Sequence, residues 1–155
     1  MQQSVQTRAP APAHLWVVGL LALLWNAFGA YDYTMTRMRN TDYLSGMMPG
    51  VDAGAVLAWI DAFPVYAQFG WGLGVWGGVL GAVLLLARSR YAVWAFAASL
   101  VGMALSLGYQ MLRAPPMPGA DALGAAGKVM PLVIILVGLV LLGYAYRQAN
   151  RGVLR

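Results

Sequence analysis

The chain of 155 residues is 61% hydrophobic and only 10% charged, and its mean hydropathy is +0.66. Soluble domains average about 45–50% apolar and about 25% charged residues, so a chain this poor in charge cannot cover a water-facing surface and is predicted to be a membrane protein. The net charge of +5 does not indicate nucleic-acid binding, because the basic residues form no stripe along which phosphates would lie. A chain without cysteine and with one histidine also excludes disulfides, Fe–S ligation and a bis-histidine haem held by one chain.

Four apolar segments are long enough to cross a bilayer core, which is about 30 Å thick and needs about 20 helical residues. We predict an all-α polytopic protein whose four transmembrane helices form an antiparallel bundle and cover residues 15–36, 65–87, 91–112 and 129–147. Because only residues 88–90 separate the second span from the third, these two spans form a hairpin. Residues 1–14 are predicted to be a mobile tail, and residues 148–155 a basic tail.

The basic residues predict the orientation of the spans, because loops rich in Lys and Arg stay in the cytoplasm. With both termini cytoplasmic, the inner side carries six basic residues, namely Arg8, Arg88, Arg90, Arg147, Arg151 and Arg155. The outer side carries four, namely Arg37, Arg39, Arg113 and Lys128. We therefore predict cytoplasmic termini, and the five acidic residues then fall on or near the outer side.

The first outer loop contains the segment VDAGAVLAWIDAF (51–63), whose pattern predicts a short helix. Asp52 is placed to cap its N-terminus. Four apolar side chains recur on one side at helical spacing: Val56, Trp59, Ile60 and Phe63. We predict that this helix lies in the outer membrane interface. An irregular loop is the alternative.

Polar residues of the first span share one face of the helix. At about 100° per residue, five side chains fall within about 60° of Gly29, namely Trp25, Asn26, Asp32, Tyr33 and Thr36. Polar side chains are costly in lipid and face the bundle interior, so this stripe is predicted to point inward. Asn26 and Asp32 then either tie the span to its neighbours, with Arg39 as a candidate partner for Asp32, or form a ligand or ion site that opens outward.

Small residues follow one face of the second span and one face of the third. In a membrane, such residues let helix backbones approach each other closely. We predict helix packing by Gly29, Gly70, Gly74, Gly77, Gly78, Gly81, Ser99, Gly102 and Ser106. A glycine-lined path for a substrate is the alternative. The fourth span is nearly uniform Leu, Val and Ile and is predicted to face lipid around much of its surface.

Catalytic motifs are missing from the sequence, which has no Gly-rich phosphate loop, no HExxH and no GxSxG. Nothing beside Asp32, Tyr33 or Asp61 supplies a nucleophile, a metal or a cofactor. We therefore expect a protein that is not an enzyme and that holds neither metal nor cofactor. His14 would need a second chain or another cofactor to act as a ligand.

Two stretches, LLWNAFGAYDYTMTRMRN (23–40) and WGLGVWGGVLGAVLLLARSRYAV (71–93), resemble a group of small four-helix inner-membrane proteins from Gram-negative bacteria. Members of that group are uncharacterised or carry the label "sugar transporter". The resemblance covers most of residues 15–112 and is weaker across the fourth span. It implies a four-helix fold in the bacterial inner (cytoplasmic) membrane, and it carries no functional residues.

Two functions are compatible with these observations. The first is a non-catalytic accessory subunit of a larger membrane assembly, which the long outer loop and the flat Gly, Ala and Ser faces favour. The alternative is a small-solute transporter or channel subunit that acts as an oligomer, because four spans are few for a secondary transporter. The expected partners are the lipid bilayer and either further copies of the chain or a larger membrane complex, and nucleic acid is not among them.

Overall fold

The computed structural model describes residues 12–121 and 123–155, and this part of the chain is helical without strands. Its helices are α1 (Ala13–Arg37), α2 (Thr41–Met47), α3 (Ala53–Asp61), α4 (Val65–Leu86), α5 (Tyr91–Leu112) and α6 (Gly124–Asn150). Four of them, α1, α4, α5 and α6, are long and apolar enough to cross a membrane. The predicted all-α bundle of four membrane helices is confirmed, and the chain is a multi-pass membrane protein.

The bundle has two different ends. At the turn end α1 begins, residues 88–90 join α4 to α5, and α6 terminates. The loop end carries α2, α3 and the segment 113–121. Around the bundle the helices follow the order α1–α4–α5–α6, because α4 packs extensively on both α1 and α5, and α6 packs on α5. Neighbouring helices are therefore antiparallel, and α1 and α6 are the two outer members.

The turn end holds the main hydrophobic core. Side chains from all four long helices meet there, and Leu15, Leu85, Ala92, Phe96 and Ala145 are among the most buried. Across this core, α1 and α6 are joined by a hydrogen bond of 2.6 Å between His14 Nδ1 and the Tyr144 hydroxyl. The two outer helices are thus held together at the turn end.

The last residues of the chain pack onto the protein. Helix α6 begins before the predicted span 129–147 and continues to Asn150, and residues 151–155 then fold back on the 88–90 turn. The Arg155 N–H donates to the Arg88 carbonyl at 2.8 Å, and the Arg90 N–H donates to the Arg155 carbonyl at 2.6 Å. Val153 and Leu154 are buried in the core. The predicted basic tail is therefore part of the folded structure. Of the predicted mobile tail 1–14, residues 13 and 14 belong to α1 instead, and residues 1–11 lie outside the described residues.

The 88–90 turn is tight because a left-handed residue follows the end of α4. Arg88 has φ +58°, and the Ser89 N–H donates back to the Leu84 carbonyl at 2.8 Å. This arrangement satisfies a carbonyl that the end of the helix would otherwise leave unpaired. Helix α5 begins directly afterwards at Tyr91, as the hairpin prediction requires.

The loop end contains the predicted short helix and a second short helix that the sequence pattern did not predict. In α3, Asp52 accepts the Gly54 N–H at 2.9 Å, so the predicted cap is confirmed and the irregular-loop alternative is wrong. The face with Val56 and Phe63 is buried within the protein. The missed helix, α2, packs on α3 and is capped by Asn40, which accepts the Tyr43 N–H at 2.9 Å.

Candidate functional site

A cavity of about 340 Å³ lies between the four long helices in the half of the bundle nearer the loop end. We call it the loop-end cavity. Its floor is formed by α4 and α5, which contribute Gly74, Val75, Met103 and Ser106. Its two walls are α1 and α6. The walls are joined at the turn end by the hydrogen bond between His14 and Tyr144, and the cavity lies between them nearer the loop end.

The walls show where the cavity opens. Phe28 on α1 and Met130 on α6 both line it and are 58% and 52% exposed. Trp25, on the α1 wall, is 38% exposed. The cavity therefore opens along the seam between α1 and α6, on the side that faces lipid. Met47 of α2 lines it at the loop end.

Gly29 explains much of the free volume at the α1 wall. A Cβ built on this residue would find no atom within 4 Å. The prediction that Gly29 packs against a neighbouring helix is therefore wrong, because the residue lines the cavity instead. A side chain added there would project into open space and occupy it.

Polar groups lie at two depths of this otherwise apolar cavity. Asp32 of α1 and Gln110 of α5 line the part nearer the loop end, and Asn26 lies about 9 Å deeper along α1 by helix rise. Asn26 is 9% exposed, and its Nδ2 donates to the Ala22 carbonyl at 2.7 Å. Ser106 adds a hydroxyl at the floor. The lining thus combines apolar walls with a few convergent polar groups, which is the composition of a small-molecule site.

Asp32 is held by α2 rather than by an arginine. Its Oδ1 accepts a hydrogen bond of 2.9 Å from the Tyr43 hydroxyl. The predicted partner Arg39 forms an ion pair of 2.8 Å with Asp61 instead, because α3 brings that carboxylate to the end of α1. The pairing of Arg39 with Asp32 is therefore wrong.

Tyr43 is suited to donate this hydrogen bond at physiological pH. Partial burial, and then the hydrogen bond to Asp32 and its charge, raise the pKa of the Tyr43 phenol to about 12. The phenol consequently stays protonated well above neutral pH. The Tyr31 ring packs edge-on against Tyr43, with centroids 5.4 Å apart.

The predicted polar stripe of α1 divides into two groups. Trp25, Asn26 and Asp32 line the cavity. Tyr33 instead packs edge-on against Trp71, with centroids 4.8 Å apart, and Thr36 is buried at 5% exposure. The structure therefore brings only the first three together at one site.

The glycines of α4 face two different neighbours. A Cβ at Gly70, Gly77 or Gly81 would come within about 3 Å of atoms of α5, such as Leu105 Cβ, Ser99 Cα and Phe96 Cδ1. At Gly78 the nearest atom is Oδ1 of Asn26, so this residue contacts α1.

Gly74 of α4 and Gly102 of α5 lie where the backbones of these two helices approach each other closely. A Cβ on Gly102 would overlap the Gly74 backbone nitrogen. Ser99 donates from Oγ to the Gly74 carbonyl at 2.5 Å. Small residues at these positions therefore allow the α4 and α5 backbones to touch.

Several residues that line the cavity were not identified as site residues from the sequence. They include Trp71, Met103, Gln110, Met130 and Ile134. Gln110 could have been identified from the sequence, because it is an amide close to the end of an apolar helix. Met130 and Ile134 had none, since α6 is apolar around its whole circumference and its inward face cannot be read from periodicity.

No protein-family model, curated protein or solved structure matches this chain. Within the described residues there is also no group of three or more His, Asp or Glu side chains placed to hold a metal ion.

Proposed function

We propose that this membrane protein binds a small molecule in the loop-end cavity, without catalysing a reaction, as the solute-binding unit of a transporter or channel. The cavity carries this proposal, because its volume of about 340 Å³ falls within the range of about 300–1,000 Å³ that is usual for ligand sites. This reverses the order of the two functions that the sequence favours. The reason is that open space at the polar stripe supports ligand binding, whereas a purely structural stripe would be filled by a neighbouring helix.

The lining favours an amphipathic ligand over a fully polar one. Asp32 and Gln110 lie at the loop end of the cavity, whereas its walls and floor are mostly apolar, with Val75, Met103 and Ile134 among them. Each hydroxyl of a sugar that faced such a wall without a partner would cost about 1–3 kcal/mol. A molecule with one polar end and an apolar body avoids this cost. The cavity therefore gives little support to the sugar substrate named for the group that this chain resembles.

The test uses a substitution that fills the cavity without disturbing a helix contact. Gly29→Phe places a ring in open space, and Gly143→Phe is its matched control, because Gly143 also has no atom within 4 Å of its Cβ position but lies on α6 away from the cavity. We expect both variants to keep the wild-type melting temperature in dodecyl maltoside. In titrations with short-chain amphiphiles, followed by tryptophan fluorescence, Gly29→Phe should lose saturable binding and Gly143→Phe should keep it. Equal binding by both variants contradicts the proposal.

An accessory subunit remains the second candidate, and the outer face of α6 favours it. Leu132, Leu136 and Val140 recur there at helical spacing and are 56–61% exposed, so a partner helix has room to pack where lipid otherwise lies. Gentle solubilisation followed by native mass measurement separates the two candidates. A stable association with a different membrane protein supports the accessory role. A homo-oligomer agrees with the need of a four-span transporter for further copies.

The location of the protein in the bacterial inner membrane, with cytoplasmic termini, is part of the same proposal. The resemblance to Gram-negative proteins supports the inner membrane, and the arginines at the turn end, Arg88, Arg90, Arg147, Arg151 and Arg155, support cytoplasmic termini. Reporter fusions at Arg155 and within residues 44–50 should report opposite sides of the membrane. A periplasmic reporter at Arg155 overturns this orientation.

A further inference from the structure

We infer that the loop-end cavity selects an organic cation, namely an alkyl amphiphile whose head is a quaternary ammonium group. This inference rests on the proposed function, because it names the ligand class for the same cavity. Three features support it: the charge of the lining, the aromatic residues of the lining, and the open seam.

The charge of the lining is negative and localised. Among the described residues that line the cavity, Asp32 is the only charged one. The arginines closest to it along the chain are engaged elsewhere, since Arg37 donates to Gln68 Oε1 at 3.1 Å and Arg39 pairs with Asp61. Within the described residues, no Lys or Arg forms an ion pair with Asp32. A carboxylate beside apolar walls is stabilised by a cationic ligand, and an anionic ligand is repelled.

Tyr43 orients the Asp32 carboxylate and leaves its negative charge in place. Its hydroxyl donates to Asp32 Oδ1 at 2.9 Å and brings no positive charge. The phenol therefore orients Asp32 without neutralising it. This differs from the arginine partner predicted from the sequence, which would have cancelled the charge and removed the reason for a cation to bind.

Aromatic residues of the same cavity suit a methylated cation. Trp71 of α4 and Trp25 of α1 both line the cavity, and Trp25 lies about 10 Å deeper than Asp32 along α1 by helix rise. Trp71 is held by an edge-on contact with Tyr33, with centroids 4.8 Å apart. The indole face attracts a cation within about 6 Å of its centroid, and quaternary ammonium groups are bound in this way because they cannot donate hydrogen bonds.

The open seam accommodates the chain of the amphiphile. Phe28 and Met130 flank it on α1 and α6, and both are more than half exposed. An alkyl chain that leaves the cavity between them remains in the hydrocarbon of the membrane. The head group then lies beside Asp32 while the chain passes through the seam, so the ligand enters from the lipid side.

The experiment compares three amphiphiles with the same chain and different heads: octyltrimethylammonium, octyl glucoside and octyl sulfate. Binding to the purified full-length protein in dodecyl maltoside is followed by tryptophan fluorescence. We expect the wild-type protein to bind the cation at least about tenfold more tightly than the glucoside, which corresponds to about 1.4 kcal/mol, and to bind the sulfate least. Equal affinity for the cation and the glucoside overturns the inference. This comparison uses the wild-type protein alone.

Asp32→Asn tests the residue, since it keeps the shape and the hydrogen bond with Tyr43 but removes the charge. We expect the preference for the cation to fall below about threefold, whereas Asp32→Glu retains it. Asp121→Asn is the control, because it removes an exposed acid that does not line the cavity. A preference that survives in Asp32→Asn overturns the inference.

The outcome also separates this inference from the proposed function. If octyl glucoside binds as tightly as the cation and both are lost in Gly29→Phe, the cavity is a binding site without selectivity for cations. If none of the three amphiphiles binds saturably to the wild-type protein, the proposed function and the inference both fail.

Discussion

The α4–α5 interface and the α1–α6 seam show two opposite uses of small residues in the same membrane protein. Between α4 and α5, Gly74 and Gly102 bring two backbones into contact, and Ser99 adds a hydrogen bond across the interface. At the seam, Gly29 also removes a side chain, but no neighbouring helix fills the space. Small residues in a membrane helix therefore indicate either close packing or a cavity, and the position of the next helix determines which of the two occurs.

The largest loss of stability is expected at the α4–α5 interface. Gly102→Leu places a side chain against the backbone of Gly74, where neither helix can yield without separating. Overpacking of this kind typically costs about 1–3 kcal/mol, and backbone overlap places Gly102→Leu at the upper end of that range or beyond. Thermal unfolding in detergent, followed by circular dichroism, measures the loss. Gly108→Leu is the matched control on the same helix, since no atom lies within 4 Å of its Cβ position, and it should unfold like the wild type.

A smaller loss of stability is expected where α4 contacts α1. Gly78→Leu displaces the amide of Asn26, which is a side chain and can turn away, so we expect a loss of about 1–2 kcal/mol. The same unfolding measurement applies. Leucine at Val75 and Val79 provides the comparison, since neither residue is fully buried. If those two variants are less stable than Gly74→Leu and Gly78→Leu, the packing face of α4 has been assigned wrongly.

The smallest loss of stability is expected where α1 and α6 meet at the turn end. Tyr144→Phe removes the hydrogen bond to His14 but leaves the ring contact, whose centroids are 5.8 Å apart. Because this bond is exposed, the free energy of unfolding should fall by no more than about 1 kcal/mol. Amphiphile binding at the distant loop-end cavity should be unchanged. A large loss of binding would show that the turn end controls how far the seam opens.

Local features of the fold were predictable because they depend on residues close in sequence. Helices α4 and α5 match the predicted spans 65–87 and 91–112 to within one residue. The Asp52 cap of α3 was predicted for the same reason, since a cap involves neighbouring backbone groups. Helix α2 was missed because its seven residues are too few to show a periodicity, although Asn40 with Asp42 in the first turn is an N-terminal signal.

Composition and helical periodicity determined by themselves that this is an all-α membrane protein with four spans, and they identified the α1 face that carries Asn26 and Asp32. The tertiary structure decided what that face meets. It placed Gly29 at open space, gave Asp32 the Tyr43 hydroxyl as a partner, and directed Arg39 to Asp61. Hydropathy and spacing are properties of one helix and its lipid surroundings. A cavity and an ion pair depend on the distance between helices, which is set by the packing of all of them together.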